Sequence, residues 1–380
     1  MSETIGPLAR VLVGALWFAS TAVLQVGCLA PRPGGADPGF DSRSRLGEET
    51  GLSGGELPES VSPGSVGRGT VGTLSLTLEN DVFADDDNNY TSGAGWQWTS
   101  APAETYREGS FYRGVVETMS FLPFVGDADR THFSSLALSH QIYTPTDIED
   151  PDPPEDDQPY AGLLHLNASL ASRGERSQHE YGVLLGVIGP AARGEQIQTF
   201  THELVRTDEP EAWDTQLANE PLVNLSYAYH RRLVPPRGGS GLDADVSSSL
   251  FAEAGTYLTG AGGGVSVRAG FKLPDGYSSF GIQSGLRPAS LPSDRLPDGW
   301  GGFLFASLSG LGVAHFAPHG NLFSDGRSVD TEPFVGSASL GISVYYGRFL
   351  FTYSFTGQTD AFETQRDPTE YGALSISYAF

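Results

Sequence analysis

From Thr73 onward, apolar and polar side chains alternate in short segments, and clusters of Gly, Asp, Pro and Asn separate them. A period of two is the signature of a strand with two unlike faces. The pattern is clearest near the C-terminus. Over residues 373–380, Leu374, Ile376, Tyr378 and Phe380 share one face, while Ala373, Ser375, Ser377 and Ala379 share the other. Over residues 348–356, Phe349, Phe351, Tyr353 and Phe355 fall together, opposite Leu350, Thr352, Ser354 and Thr356. A soluble sandwich also alternates, but its wet face is richer in Lys and Glu. A face of Ser, Thr, Gly and Ala suits a barrel interior, with the aromatic face turned to lipid.

Similar segments begin near Thr73, Ala94, Phe133, Ala161, Glu180, Leu222, Ser249, Gly264, Gly302, Phe334, Arg348 and Tyr371, twelve in all. The even count, and the need of a lipid-embedded sheet to close its edges, predict an all-β chain. The expected fold is a transmembrane antiparallel β-barrel of about twelve strands spanning residues 71–380, interrupted by short helices. The terminal Phe380, ending an alternating strand, resembles the assembly signal of many outer-membrane barrels. Two stretches break the rhythm. Residues 110–122 read as a short helix or a loop. Gly194–Val205 reads as a helix, because Gly189-Pro190 closes the preceding strand and Gln198, His202 and Val205 then share a face. An insertion of this kind in a barrel is where function would sit.

Ahead of the barrel, residues 31–70 are rich in Gly, Pro, Ser and acidic side chains and read as a disordered linker. Residues 1–30 read as a signal peptide: Val11 to Val26 is mostly apolar, Arg10 gives a positive flank, and Cys28 and Ala30 form a small pair for cleavage after Ala30. A lipoprotein reading centred on Cys28 also stands, with Gly27 before it, although Gln25 fits that pattern poorly. No later stretch approaches the roughly 18 apolar residues of a spanning helix. The single Cys removes any disulfide framework or Cys-based zinc pattern. A formal charge of −24 argues against nucleic acid as a partner. Acidic loops of this kind either hold divalent cations or simply keep the surface solvated.

His202 is the first candidate for chemistry, with Gln198 one helical turn earlier on the same face. Histidine is a natural general base near neutral pH, and an amide can orient it or a substrate carbonyl. The second is Glu79-Asn80-Asp81, followed by an acidic loop to Asn88-Asn89-Tyr90-Thr91. Carboxylates, amide oxygens and loop carbonyls are the hard ligands that Ca2+ prefers, although a solvated acidic turn would look the same and the EF-hand spacing is absent. Asn80 falls on the face of Leu74, Leu76 and Leu78, which the alternation assigns to lipid. A polar residue there calls for a site on the outer wall, or for a bulge that resets the face. The G-x-S-x-G match around Ser53 lies in the linker without a preceding strand, so a serine nucleophile elbow is unsupported.

These residues resemble the outer-membrane lipid A 3′-O-deacylase family. The resemblance is carried by Leu78-Glu79-Asn80-Asp81, Asn89-Tyr90-Thr91-Ser92-Gly93, Gln141-Ile142-Tyr143-Thr144-Pro145 and Pro159-Tyr160-Ala161-Gly162. It continues through Gly186-Val187-Ile188-Gly189-Pro190, Gly194-Glu195-Gln196-Ile197-Gln198 with His202, Trp213-Asp214-Thr215-Gln216-Leu217, Asn219-Glu220-Pro221, Phe362-Glu363-Thr364-Gln365 and the last strand. The resemblance implies a twelve-stranded barrel whose site lies between the outer wall and an extracellular helix. It implies His202 as catalytic histidine, Gln198 as its partner, Asn80 and Asp81 as the site Asn-Asp pair and Thr91 as the site hydroxyl. Asp208 stands where a family member can carry Glu. Gln158 stands where Arg is expected, which puts in doubt a cation there for a lipid A phosphate.

The expected reaction is water attack on an ester of lipid A in lipopolysaccharide, with His202 as general base. Ca2+ near Asp81, with loop carbonyls around Asn88, would stabilise the oxyanion, and Asn80, Thr91 and Gln198 would position the reactants. The expected setting is the bacterial outer membrane; a monomer is allowed and the oligomeric state is left open. The rivals are a non-catalytic lipopolysaccharide-binding barrel, a passive porin with a charged lumen, and an outer-membrane phospholipase with a serine nucleophile.

Overall fold

The computed structural model describes residues 72–81, 89–101, 119, 121–125, 127, 129–205, 209–238, 241–277 and 296–380. The expected leader over 1–30, the linker over 31–70, Asn88, Asp208 and most of 110–122 lie outside the described residues.

Twelve antiparallel strands follow one another around a closed barrel. They are β1 (Gly72–Asn80), β2 (Asn89–Ser100), β3 (Thr131–Thr144), β4 (Ala161–Arg173), β5 (Ser177–Ile188), β6 (Glu220–Val234), β7 (Leu242–Gly255), β8 (Leu258–Phe271), β9 (Trp300–Phe316), β10 (Phe334–Tyr346), β11 (Phe349–Gln358) and β12 (Glu370–Ala379). The ring shuts where β1 pairs with β12, from Thr73↔Ala379 to Asn80↔Gly372. Closure leaves no row of unpaired backbone groups for hydrocarbon to meet.

Three strands begin earlier than their sequence pattern suggests: β2 at Asn89, β7 at Leu242 and β8 at Leu258. Each of these stretches is polar or glycine-rich enough to read as a turn, and for β7 and β8 the reason lies in the lumen. Asp245 of β7 faces inward, where Arg268 of β8 meets both its oxygens through Nε and Nη2. Gly262 of β8 must lack a side chain, since a Cβ there would meet the Phe251 ring at 2.9 Å and a backbone oxygen still closer.

The two faces divide as the alternation predicts. Leu304, Leu308, Leu340, Phe349, Phe351 and Tyr353 point outward and are exposed. Inward hydroxyls bond across strands, as in Ser75–Ser377 at 2.7 Å and Ser343–Thr352 at 2.9 Å. Near the termini the lumen holds an ionic lattice: Arg232 bonds Asp275 at 2.8 Å, and Arg173 lies 3.8 Å from the same carboxylate. At the opposite rim the lumen is filled by Tyr90, Tyr143, Leu163, Leu222, Leu311 and Tyr371. That packed plug is not the aqueous channel a passive porin needs. It leaves a cavity of 50 Å³ lined by Tyr90, Tyr143, Phe316, His319, Phe362 and Tyr371 among others. The cavity lies inside the wall, whereas the polar anomaly of β1 lies outside it.

Candidate active site on the outer wall

Along β1, Thr73, Ser75, Thr77 and Glu79 are buried inward, and Leu74, Leu76, Leu78 and Asn80 take the other face. Asn80 is thus a polar side chain at the end of a leucine stripe on the outer wall. Its Nδ2 donates to the Thr91 carbonyl at 2.8 Å. Thr91 sits in a bulge: Tyr90 pairs with Tyr143 and Ser92 with Ile142, and Thr91 has no opposite residue. Bulges re-aim a side chain out of the regular alternation, and the Thr91 hydroxyl here meets that of Thr144 at 2.6 Å. Asn80 therefore keeps the outer face that the alternation assigns it, which favours the outer-wall site over a bulge in β1; the bulge found here lies on β2. Asp81, one residue past the strand, is wholly buried. Asn88 lies outside the described residues.

The helix is laid against the same rim by a short relay. After β5, Gly189 takes a φ of 98°, a conformation that L side chains resist, and Pro190 opens a 3-10 turn through Ala192. His140, on the outer face of β3, bonds the Ala192 carbonyl through Nε2 at 2.9 Å and clips the turn to the wall. Helix α1 (Gly194–Val205) follows and packs on β3 and β4. Contact is backbone to backbone, because a Cβ at Gly162 would lie 2.8 Å from the Gly194 nitrogen. Gly194, Gln198 and His202 are buried on the packed side, while Glu195, Gln196 and Glu203 are exposed. An ordinary packed helix puts apolar residues on that side. Here an amide and an imidazole occupy it.

Gln198 is only 2% exposed, and its Oε1 accepts the Trp213 indole N–H at 2.8 Å. Its Nε2 is buried without a hydrogen-bond partner. Trp213 packs on Tyr160, ring centroids 4.8 Å apart, and both join Ile142 and Ala212 in one cluster with Ile197 of α1. Burial, aided by Asp147, holds the Tyr160 phenol above its usual range, so it stays neutral and donates to the Ile148 carbonyl. Two trains of contact therefore meet on the outer face of β3. One runs Asn80–Thr91–Thr144; the other runs Gln198–Trp213–Ile142, and Ile142 and Thr144 are two residues apart. His202 lies one turn beyond Gln198 on the same buried side.

Among the described residues no group of three His, Cys, Asp or Glu side chains is placed to hold a metal. The oxygen donors at and next to the end of β1 are the Asn80 amide and the buried Asp81 carboxylate, and the Thr91 hydroxyl lies on the neighbouring strand. All are hard oxygen ligands, a set that fits calcium and does not fit zinc. Gln158, standing where a cation was expected, is buried and donates to the Pro318 carbonyl at 2.8 Å, tying loop 145–160 to loop 317–333. Trp213, Thr144 and Gly162 were visible in the sequence as motif members but carried no role. The pairing of two threonines on the outer face, and an indole beside a polar helix, were the signals available for two of them.

A family model described as outer membrane protein LpxR matches residues 60–380. Among solved structures, LpxR from Salmonella typhimurium is similar over 81% of this chain and 100% of its own, with a TM-score of 0.66 and 19% identity. The β domain of the Bordetella autotransporter BrkA covers 81% of this chain and 99% of its own, with a TM-score of 0.40 and 10% identity. None of the curated proteins matches.

Proposed function

Because the chain belongs to the LpxR family of outer membrane proteins, we propose that it removes an ester-linked acyl chain, the 3′-O-linked one, from lipid A at the rim crevice between α1 and the outer wall. The observation that carries this reading is the burial of Gln198 and His202 on the wall-facing side of α1, at the same rim as an outward Asn80 in a leucine stripe. The outer wall beside this rim carries Leu74, Leu76 and Leu78 of β1, Leu136 of β3 and Leu166 of β4, so an acyl chain would lie on that wall while its ester reaches the rim. The membrane surface supplies the substrate laterally, and no deep pocket is needed.

His202 acts as general base. It takes a proton from water as the water oxygen bonds to the ester carbonyl carbon. The bond between that carbon and the sugar oxygen then breaks, and the proton passes to the leaving alkoxide. The products are a fatty acid and a free hydroxyl on lipid A. Gln198 donates a hydrogen bond to the acyl oxygen as it becomes negative. Asn80, anchored through Nδ2, and the hydroxyl of Thr91 hold the water and the ester in line. Asp81, with Asn80 and backbone oxygens of the following loop that includes Asn88, would hold calcium, which when bound supplies positive charge beside the developing oxyanion. Residues 1–30 would serve as the export leader.

The test is mass spectrometry of purified lipid A incubated with the detergent-solubilised protein and with His202→Ala. Loss of one hydroxyacyl or acyloxyacyl mass, present for the wild type and absent for the variant, supports the proposal. Intact lipid A with a folded wild-type barrel sinks it. Phospholipids in parallel incubations separate the phospholipase rival, and lipopolysaccharide binding without hydrolysis separates the binding-only one.

A further inference from the structure

We infer that Trp213 is a positioning residue that forces Gln198 to act as a hydrogen-bond donor to the substrate. The inference deepens the deacylase reading and rests on it. An amide side chain can present either its oxygen or its nitrogen, and electron density alone seldom tells them apart. The indole N–H removes that freedom, because it can only donate and so must face the amide oxygen. The Trp213 Nε1–Gln198 Oε1 bond is 2.8 Å long and buried on both sides. The amide nitrogen is then turned away from the indole, and it is a buried donor with no acceptor among the described residues. An unmet buried donor costs about 1–3 kcal/mol. A bound acyl oxygen would relieve that cost, and an oxyanion would relieve it more than a neutral carbonyl.

Trp213 is itself held rigidly enough to impose this choice. It opens a 3-10 turn (Trp213–Thr215) whose ends are tied by Thr215 Oγ1 to the Ala212 carbonyl and by Gln216 Nε2 to the Trp213 carbonyl. Its ring is packed between Tyr160 and the backbone of Gly194, where even a methyl group would lie 2.6 Å from Cη2. The indole therefore cannot swing to release the amide.

A double-mutant cycle on lipid A deacylation tests this, with kcat and KM measured separately and each barrel checked for folding by its resistance to unfolding in cold SDS. Trp213→Phe keeps an aromatic side chain against Tyr160 and removes the donor. It should lower kcat by roughly tenfold or more, with KM within about twofold, a fraction of the ~10²–10³ that a lost oxyanion donor costs. Gln198→Ala should lower kcat further, and Trp213→Phe added to it should do no additional harm. Gln198→Glu is the second arm: it still accepts from Trp213 but has no donor, and it should be as slow as Gln198→Ala. Multiplying effects in the double variant, or a Gln198→Glu protein with wild-type kcat, would overturn the inference while leaving the deacylase reading intact. A folded wild-type protein without deacylase activity would overturn that reading, and this inference with it.

Discussion

Replacing Gly162 by Ala should cripple the reaction while leaving the barrel folded. The magnitude follows from the contact between β4 and α1. The added Cβ would stand 2.8 Å from the Gly194 nitrogen and 2.9 Å from its Cα, and neither is a flexible side chain that could move aside. Restoring an ordinary contact of about 3.4 Å requires the two backbones to part by about 0.6 Å. Overpacking of this kind costs roughly 1–3 kcal/mol. The cost falls on the docking of α1, because the pairing of Gly162 with Ile142 uses only backbone groups. A displacement near 1 Å at a reacting centre is worth about 10² in rate, so a shift of about 0.6 Å should lower kcat/KM by roughly 10- to 100-fold. The assay is the initial rate of acyl release from lipid A, read beside SDS resistance as a measure of barrel integrity. Gly241→Ala is the matched control, since nothing lies within 4 Å of a Cβ there. A Gly162→Ala protein that is folded and within twofold of wild-type kcat/KM would refute the claim that glycine contact sets the height of the helix.

Three further outcomes are expected. Removing divalent cations with a chelator should abolish acyl release, Ca2+ should restore it, and Asp81→Asn should weaken that rescue; full activity in chelator would remove the metal from the reaction. At the capped rim, burial and then the neighbouring His315 hold the His319 imidazole down at about 3. The unfolded chain therefore takes up the proton first, and the stability of the cap is complete above about pH 6.5 and falls toward pH 3, by up to about 1.4 kcal/mol per unit. Hydrogen exchange over 317–333, corrected for intrinsic rate, should rise between pH 7 and 5, and His319→Gln should flatten the response; an equal rise in the variant would assign it to another group. In the lumen, Arg268→Met takes from buried Asp245 its bidentate partner and leaves only Arg232 Nε at 3.9 Å, which should cost up to about 3–5 kcal/mol in denaturant unfolding, whereas Arg268→Met with Asp245→Leu should recover most of the loss; a single variant as stable as wild type would show that Arg232 alone compensates the carboxylate.

Most of the fold was legible in the sequence because a barrel writes its two environments directly into the chain. Phe349, Phe351 and Tyr353 face outward, and Leu350 and Thr352 face inward, with a period that needs no tertiary information. Where the reading slipped, a long-range partner had overridden a local signal. Asp243-Ala244-Asp245 looks like a turn until Arg268, 23 residues away, is set across from Asp245. Asn89–Gly93 looks like a loop until the bulge at Thr91 is seen to spend one residue on the Thr144 contact. The Trp213–Gln198 bond was hidden for the same reason. It depends on how a loop returns to the helix, and no local period records that.

The site, by contrast, was legible only through a violation. A strand that spans lipid has no use for an amide on its outer face, and three leucines at two-residue spacing make Asn80 conspicuous. The helix repeats the violation: Gln198 and His202 occupy the packed side where leucines would stabilise it more. Each departure costs stability, and neither is compensated inside its own element. They become consistent only when α1 is laid on β3 and β4, so that the polar stripe of the helix is covered by the wall instead of by lipid. On the proposed reading, this is why the chemistry belongs at the rim. Deeper in the membrane an outward amide would meet hydrocarbon, and farther out the helix would have no wall to lie on. An enzyme acting on a lipid whose ester lies at the water boundary is left with that one height, and Asn80, the last residue of its strand, marks it.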